Sequence, residues 1–273
     1  MSNAQSGHVE VPGGKLYFEA EGEGSPLTLI HAGVANLRMW DEQVAAWRDD
    51  HRVIRYDCRG FGRTRVDDVP YSNRDDLGAV LDHLEVDRTH LLGLSRGSVI
   101  ATDFTLERPE RVRSLIWVAG GLRGFEVDDP RLTDRWPEME SLEEARDWER
   151  LVELETRVWT DGPGQPSDRV DPDVRRRMIG WNMENYLADQ HPDQPIQPAV
   201  PAVDRLAEVK VPTLLMWGTF DELGVLRSGE KMSAEIANAR SHVFEGVAHM
   251  VNLERPAEFN RLVGEFVADV DRD

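Results

Sequence analysis

The sequence holds a single cysteine, Cys58, in 273 residues, so no intrachain disulfide can form and a thiolate zinc cluster is excluded. Nowhere do eighteen apolar residues run together, and the opening MSNAQSGHVEV has no basic stretch followed by an apolar one. Neither a membrane span nor a secretory leader is expected, and a reducing cytoplasm is the expected location. Positive charge is scarce: 32 Lys and Arg face 51 Asp and Glu, a formal charge of -19. Such a surface repels phosphate backbones and anionic headgroups, and no Lys/Arg-rich segment offsets it, so neither nucleic acid nor a membrane is an expected partner. HExxH is absent and the histidines show no ligand spacing. Gly60 and Gly62 follow a strand but lack the helix-opening third glycine of a dinucleotide fingerprint, and no Walker motif occurs. No metal and no cofactor are therefore expected.

What is present describes an ordinary globule, 40% hydrophobic and 30% charged, with apolar side chains enough for a sizeable core; a monomer and a homo-oligomer fit equally well. Val9 to Val11, Pro12-Gly13-Gly14 and Lys15 to Ala20 read as an antiparallel hairpin. Short apolar runs then alternate with helical segments: Leu27 to Ile30, Val53 to Tyr56, Leu91 to Leu94, Ser114 to Ala119, Thr213 to Trp217 and His242 to Phe244. Near-continuous apolar strands separated by amphipathic helices predict a mostly parallel, doubly wound α/β sheet covered on both faces. The helices are expected over Trp40 to Trp47, Arg74 to Leu84, Gly97 to Leu106, Gly229 to Ile236 and Ala257 to Val270.

Between Gly121 and Lys210 the strand signal disappears over a stretch far too long for a plain crossover. An inserted helical lid over residues 122–207 is expected, dividing a core made of 1–121 and 208–273. Glu138 to Trp159 carries apolar residues at helical spacings, Asp171 to Leu187 starts with Pro172 just inside its cap, and the proline-rich stretch His191 to Pro201 leads back to the sheet.

The chemistry begins where strand Leu91 to Leu94 runs into Gly93-Leu94-Ser95-Arg96-Gly97 and then a helix. A serine on so sharp a turn needs glycine on both flanks, because a Cβ there would strike the neighbouring elements. A serine hydroxyl needs a base to take its proton and a third group to fix the base's tautomer. Asp221 follows an apolar strand, and His249 follows the next one, in the order this arrangement requires. Glu222 is a rival for the acid. His31 reads as a structural residue of its loop, and His51, His83, His90 and His191 read as solvated. An oxyanion needs fixed donors, and two backbone N–H groups qualify: that of Arg96, at a helix N-terminus, and that of Gly33, in the loop after Leu27 to Ile30. Trp181, in a mixed environment of Asn182, Met183 and Tyr186, is a candidate pocket wall together with Trp148 and Met250.

His31-Ala32-Gly33, Arg55 to Gly62, the Ser95 elbow, Gly218 to Asp221 and Gly246 to His249 with Glu254-Arg255-Pro256 recur in an order that resembles the α/β-hydrolase superfamily, nearest to 3-oxoadipate enol-lactonases and carboxylesterases. The resemblance implies the α/β-hydrolase fold and an acyl-enzyme route, with Ser95, His249 and Asp221 as triad, acting on a small ester or lactone. Ala32 stands where that family usually has glycine, and Arg96 where many members carry Met, Leu or Gln; Arg96 is expected either to meet an anionic substrate group or to form a structural ion pair. Ser95 argues against dehalogenases and epoxide hydrolases, which resemble this fold but use aspartate at the elbow. A C–C bond hydrolase, a perhydrolase and a ligand-binding receptor-like protein remain alternatives on the same scaffold.

Overall fold

In a computed structural model the described residues are 4–133, 135–188 and 195–272. The chain opens with β1 (Gln5–Val11) and β2 (Gly14–Glu21), paired antiparallel around Pro12-Gly13, where Gly13 takes φ 67°, the left-handed conformation a two-residue hairpin turn needs. Then follow β3 (Ser25–Ile30), α1 (Asp41–Trp47), β4 (His51–Tyr56), β5 (Arg65–Val66), α2 (Asn73–His83), β6 (Thr89–Leu94), α3 (Arg96–Glu107) and β7 (Val112–Val118). Three helices, α4 (Arg135–Glu144), α5 (Trp148–Thr156) and α6 (Pro172–Leu187), precede β8 (Thr213–Gly218), α7 (Leu223–Glu235), β9 (Ala239–Phe244), α8 (Val251–Glu254) and α9 (Pro256–Arg272).

The sheet order is β1-β2-β4-β3-β6-β7-β8-β9, antiparallel over the first three strands and parallel from β4 onward, with β5 added beside β2. Its central strands are buried along their whole length, Thr89–Leu94 and Thr213–Gly218 among them, as expected for a sheet covered on both faces. The hydrophobic core runs through the sheet and its flanking helices, with Trp40, Trp117, Phe104 and Phe259 fully buried. Consecutive parallel strands all end at the same edge, so the loops after β3, β6, β8 and β9 meet there, and that edge is where open α/β sheets bind ligands.

Several expectations need correction. The helix expected over Gly229 to Ile236 begins six positions earlier, at Leu223, because Glu222 supplies an extended residue from which the helix starts. Glu138 to Trp159 is not one helix: it breaks at Arg146, at φ 54°, and Asp147 restarts it by accepting a bond from the Arg150 N–H. After Thr156 the backbone widens into a π-turn over Arg157–Asp161. His90 is not solvated; it is buried in β6 between the Ser114 hydroxyl at 2.8 Å and the Asp271 carboxylate at 2.9 Å. His191 and the first residues of the proline-rich stretch lie outside the described residues. Among the described residues no helix is long and apolar enough to cross a membrane.

Candidate active site

Ser95 sits at the junction of β6 and α3 with φ 56° and ψ -117°, a strained conformation for a residue with a side chain. The strain is held from two sides. A Cβ on Gly93 would lie 2.1 Å from the Gly97 carbonyl oxygen, and one on Gly97 would lie 2.2 Å from that of Ile30, so both flanking glycines are required by close approach. The Ser95 N–H donates to the Val118 carbonyl at 2.9 Å, and the neighbouring Ser98 hydroxyl accepts the Val118 N–H at 2.9 Å. Ser98 thus pins the elbow to β7, a role its sequence neighbourhood did not announce.

His249 follows β9 and Asp221 follows β8. Both are buried, and His249 Nδ1 lies 2.9 and 2.8 Å from the two Asp221 carboxylate oxygens. Asp221 Oδ1 also accepts the Glu222 N–H at 2.8 Å. With Nδ1 donating to the carboxylate, Nε2 is the free lone-pair nitrogen; it is buried and has no hydrogen-bond partner. Burial opposes the imidazolium, yet the Asp221 charge and hydrogen bond, helped by Glu222, lift the His249 pKa above its ordinary 6.5. Glu222 points elsewhere than Asp221. Its carboxyl makes no hydrogen bond to His249, and burial together with the Asp221 charge pushes it up to about 7.

The loop after β3 comes alongside the elbow: a Cβ on Gly33 would lie 3.8 Å from Arg96 Cβ. Among the described residues neither the Gly33 N–H nor the Arg96 N–H has a protein acceptor. His31 shapes this loop as a neutral ring, Nδ1 donating to the Ala32 carbonyl at 2.7 Å and Nε2 accepting the Cys58 N–H at 3.0 Å. Burial drives its pKa down to about 4, so the tautomer is fixed. Cys58 is a packed thiol, pushed up to about 11 by burial.

The inserted segment supplies residues that the sequence did not single out for the site. The Trp159 ring, on the π-turn, lies 4.9 Å from the His249 ring and is tilted against Trp136 at 5.8 Å. Arg131 Nη2 donates to the Asp221 carbonyl at 2.9 Å while its fork grips Asp129, whose Oδ2 accepts the Leu223 N–H at 2.8 Å. Arg169 donates to the Gly246 carbonyl at 3.1 Å and pairs with Glu254, which in turn accepts the Ala248 N–H at 2.9 Å. Two arginines thus tie the insertion to the turns that carry Asp221 and His249. Of the residues expected in a pocket, Met250 is buried beside His249, and Trp181 packs partly buried against the main core next to Arg177. Trp148 lies in a separate cluster within the insertion, stacked on Tyr186 at 4.8 Å. Arg96 has no carboxylate within ion-pair distance among the described residues; it lies over the Phe61 ring at 5.1 Å.

A family model described as the alpha/beta hydrolase fold matches residues 25–256. The 2-hydroxy-6-oxononadienedioate/2-hydroxy-6-oxononatrienedioate hydrolase of Escherichia coli (strain K12 / DH10B) is 30% identical over 277 residues, covering 93% of this chain and 91% of that relative. Among solved structures, Est816, described as an N-acyl homoserine lactone degrading enzyme, aligns with a TM-score of 0.74 at 28% identity, over 95% of this chain and 100% of that one. The enol-lactonase from Burkholderia xenovorans LB400 aligns with a TM-score of 0.77 at 23% identity, over 96% and 100% of the two chains, which speaks for the fold. With the sheet order above and a match across most of its length, this chain is a hydrolase belonging to the alpha/beta hydrolase fold family.

Proposed function

We propose that the protein cleaves a small carboxylic ester or lactone through an acyl-enzyme formed on Ser95. The observation that carries this reading is the buried His249–Asp221 pair, with Nε2 left unpartnered at the sheet edge where the strained Ser95 elbow also ends. His249 Nε2 takes the proton from Ser95 Oγ as that oxygen bonds to the substrate carbonyl carbon; the oxyanion is met by the Gly33 and Arg96 N–H groups. Collapse breaks the bond to the leaving oxygen, which takes the proton from His249. Water, deprotonated by the same imidazole, then releases the acid and restores the Ser95 hydroxyl. Ser95 and His249 are not joined by a hydrogen bond in this arrangement, and a rotation of the serine side chain closes that gap when substrate binds. Residues 122–207 act as the lid, with Trp159 forming the wall nearest the base.

The substrate name of the Escherichia coli relative, a ketone with two carboxylates, favours one second reading: hydrolysis of a C–C bond beside a ketone on the same three residues. The test of the main reading is labelling by a fluorophosphonate probe together with turnover of p-nitrophenyl acetate, on wild type and Ser95→Ala. Loss of both label and several powers of ten in rate is expected. Undiminished esterase activity in Ser95→Ala overturns the reading; label without ester turnover, joined to cleavage of a vinylogous diketone, moves the assignment to the C–C bond.

A further inference from the structure

Most arginines that this fold draws inside are neutralised by carboxylates. Arg55 is paired with Glu19, Arg59 with Asp76, Arg123 with Asp103, Arg169 with Glu254 and Arg175 with Asp161. Arg96 differs. Its Nε is shut off from solvent and has no acceptor, and among the described residues its guanidinium meets no carboxylate but only the amide oxygen of Asn73, 3.3 Å from Nη2, and the Tyr71 hydroxyl. Cys58, its thiol pushed up to about 11 by burial, and the face of Phe61 complete its surroundings. Asp76, whose carboxylate feels the Arg96 charge, is already gripped at two points by Arg59 at 2.7 and 2.9 Å. A guanidinium partly withdrawn from water without a counter-ion is costly, so an anion delivered to it gains a charge-assisted partner.

Its position says which ligand. Arg96 follows Ser95 directly, its stem lies along Gly33, and its neighbours come from the loops after β3, β4 and β6, all at the carboxyl edge of the sheet. In a chain carrying a net charge of -19, an anionic substrate finds few uncompensated cations. We propose that Arg96 is an anion subsite that receives a carboxylate on the acyl part of the substrate, so that the preferred ester or lactone is derived from a short dicarboxylic acid. This deepens the function proposed above and rests on it for the position of the acyl group. A carboxylate fits the guanidinium fork at two points and satisfies the donors that the protein leaves open.

The test compares p-nitrophenyl hydrogen glutarate with p-nitrophenyl valerate, which has the same acyl length without the charge, on wild type, Arg96→Met and Arg96→Lys. The quantity read is the ratio of kcat/KM for the charged over the neutral ester, which cancels any general damage to the elbow. Arg96→Met is expected to lower that ratio by about tenfold or more, and Arg96→Lys to recover part of it, as for the loss of a charged hydrogen-bonded pair. A second readout needs no turnover: glutarate binding to the Ser95→Ala protein, followed by tryptophan fluorescence, is expected to weaken by a similar factor when Arg96→Met is added. A ratio within threefold of wild type in both variants, or glutarate binding that ignores Arg96→Met, overturns the subsite. If wild type hydrolyses neither ester, the ester reading fails by itself, and the glutarate titration still decides for or against the subsite.

Discussion

In the mechanism proposed above His249 accepts a proton, which only the neutral ring can do, so the raised pKa of its imidazolium is expected to set the acid limb of activity. Below that pKa the base is already protonated; kcat/KM is expected to rise as pH climbs through a midpoint above 6.5. Glu222 contributes negative charge to that elevation, so Glu222→Gln should move the limb to lower pH with only a modest loss of rate at its plateau. Asp221→Asn should do more, because the amide favours the wrong tautomer and a loss of about ten-thousand-fold in kcat is the scale for such a change. A pH profile in which Glu222→Gln leaves the limb in place, or costs more rate than Asp221→Asn, reverses these assignments. At this scale the sequence was most informative about groups fixed by chain-local geometry: the Gly93-to-Gly97 elbow, and the acid and histidine that each follow an apolar strand. It counted Trp159 only as one of four tryptophans in the expected lid and was silent on Arg131 and Arg169; the positions of all three depend on partners 90, 90 and 85 residues away in the chain. His90 was misread because its flanking charges point outward while the strand carries it into the core.

The elements of the sheet were legible because a covered parallel strand leaves an unbroken apolar run; the helices of the insertion were less so. Arg146 breaks the α4–α5 run through a left-handed turn that an arginine rarely adopts, and no glycine or proline marks the spot. The cluster these helices build is separate from the main core and small: Leu132, Met139, Leu142, Leu151, Leu154 and Val158, with Trp148 stacked on Tyr186 at its edge. Glu155 is drawn into it with Asn182 and Tyr186 as its partners, at 2.6 and 3.0 Å. Leu151→Ala removes a fully covered side chain and should cost this cluster about 2–5 kcal/mol. Because α6 adds Val174 and Met178 to the main core while the helices before it pack in the separate cluster, hydrogen exchange is expected to accelerate in residues 135–156 before it does in β6 or β8. Equal acceleration in both would mean that insertion and sheet unfold as one unit.

On the scale of the whole molecule, the two arginine ties join the inserted segment, part of whose apolar packing forms a cluster of its own, to the turns that carry Asp221 and His249. Arg169→Met keeps the apolar stem but leaves the nearly covered Glu254 carboxylate without its cation, which should destabilise the fold by about 3–5 kcal/mol and loosen the His249 turn. The double change Arg169→Met with Glu254→Gln should restore most of the melting temperature while kcat stays low, since a misplacement of about 1 Å at the base costs on the order of a hundredfold. Full recovery of kcat in the double variant would show that the tie serves stability alone.

The same ties limit how freely this enzyme can be rebuilt. Segments inserted between β7 and β8 look like cassettes, open to exchange when a new specificity is wanted. Under the function proposed above, the insertion would share in the catalytic alignment: Arg131 holds the Asp221 turn and Arg169 the turn before His249, both within residues 122–207. A chimera that imports a foreign insertion without these two grips should fold its sheet and still turn over slowly, and returning the two arginines with their carboxylate partners should revive it. If that chimera behaves as expected, specificity and rate are linked in this chain, because the segment proposed as the lid also carries the two arginines.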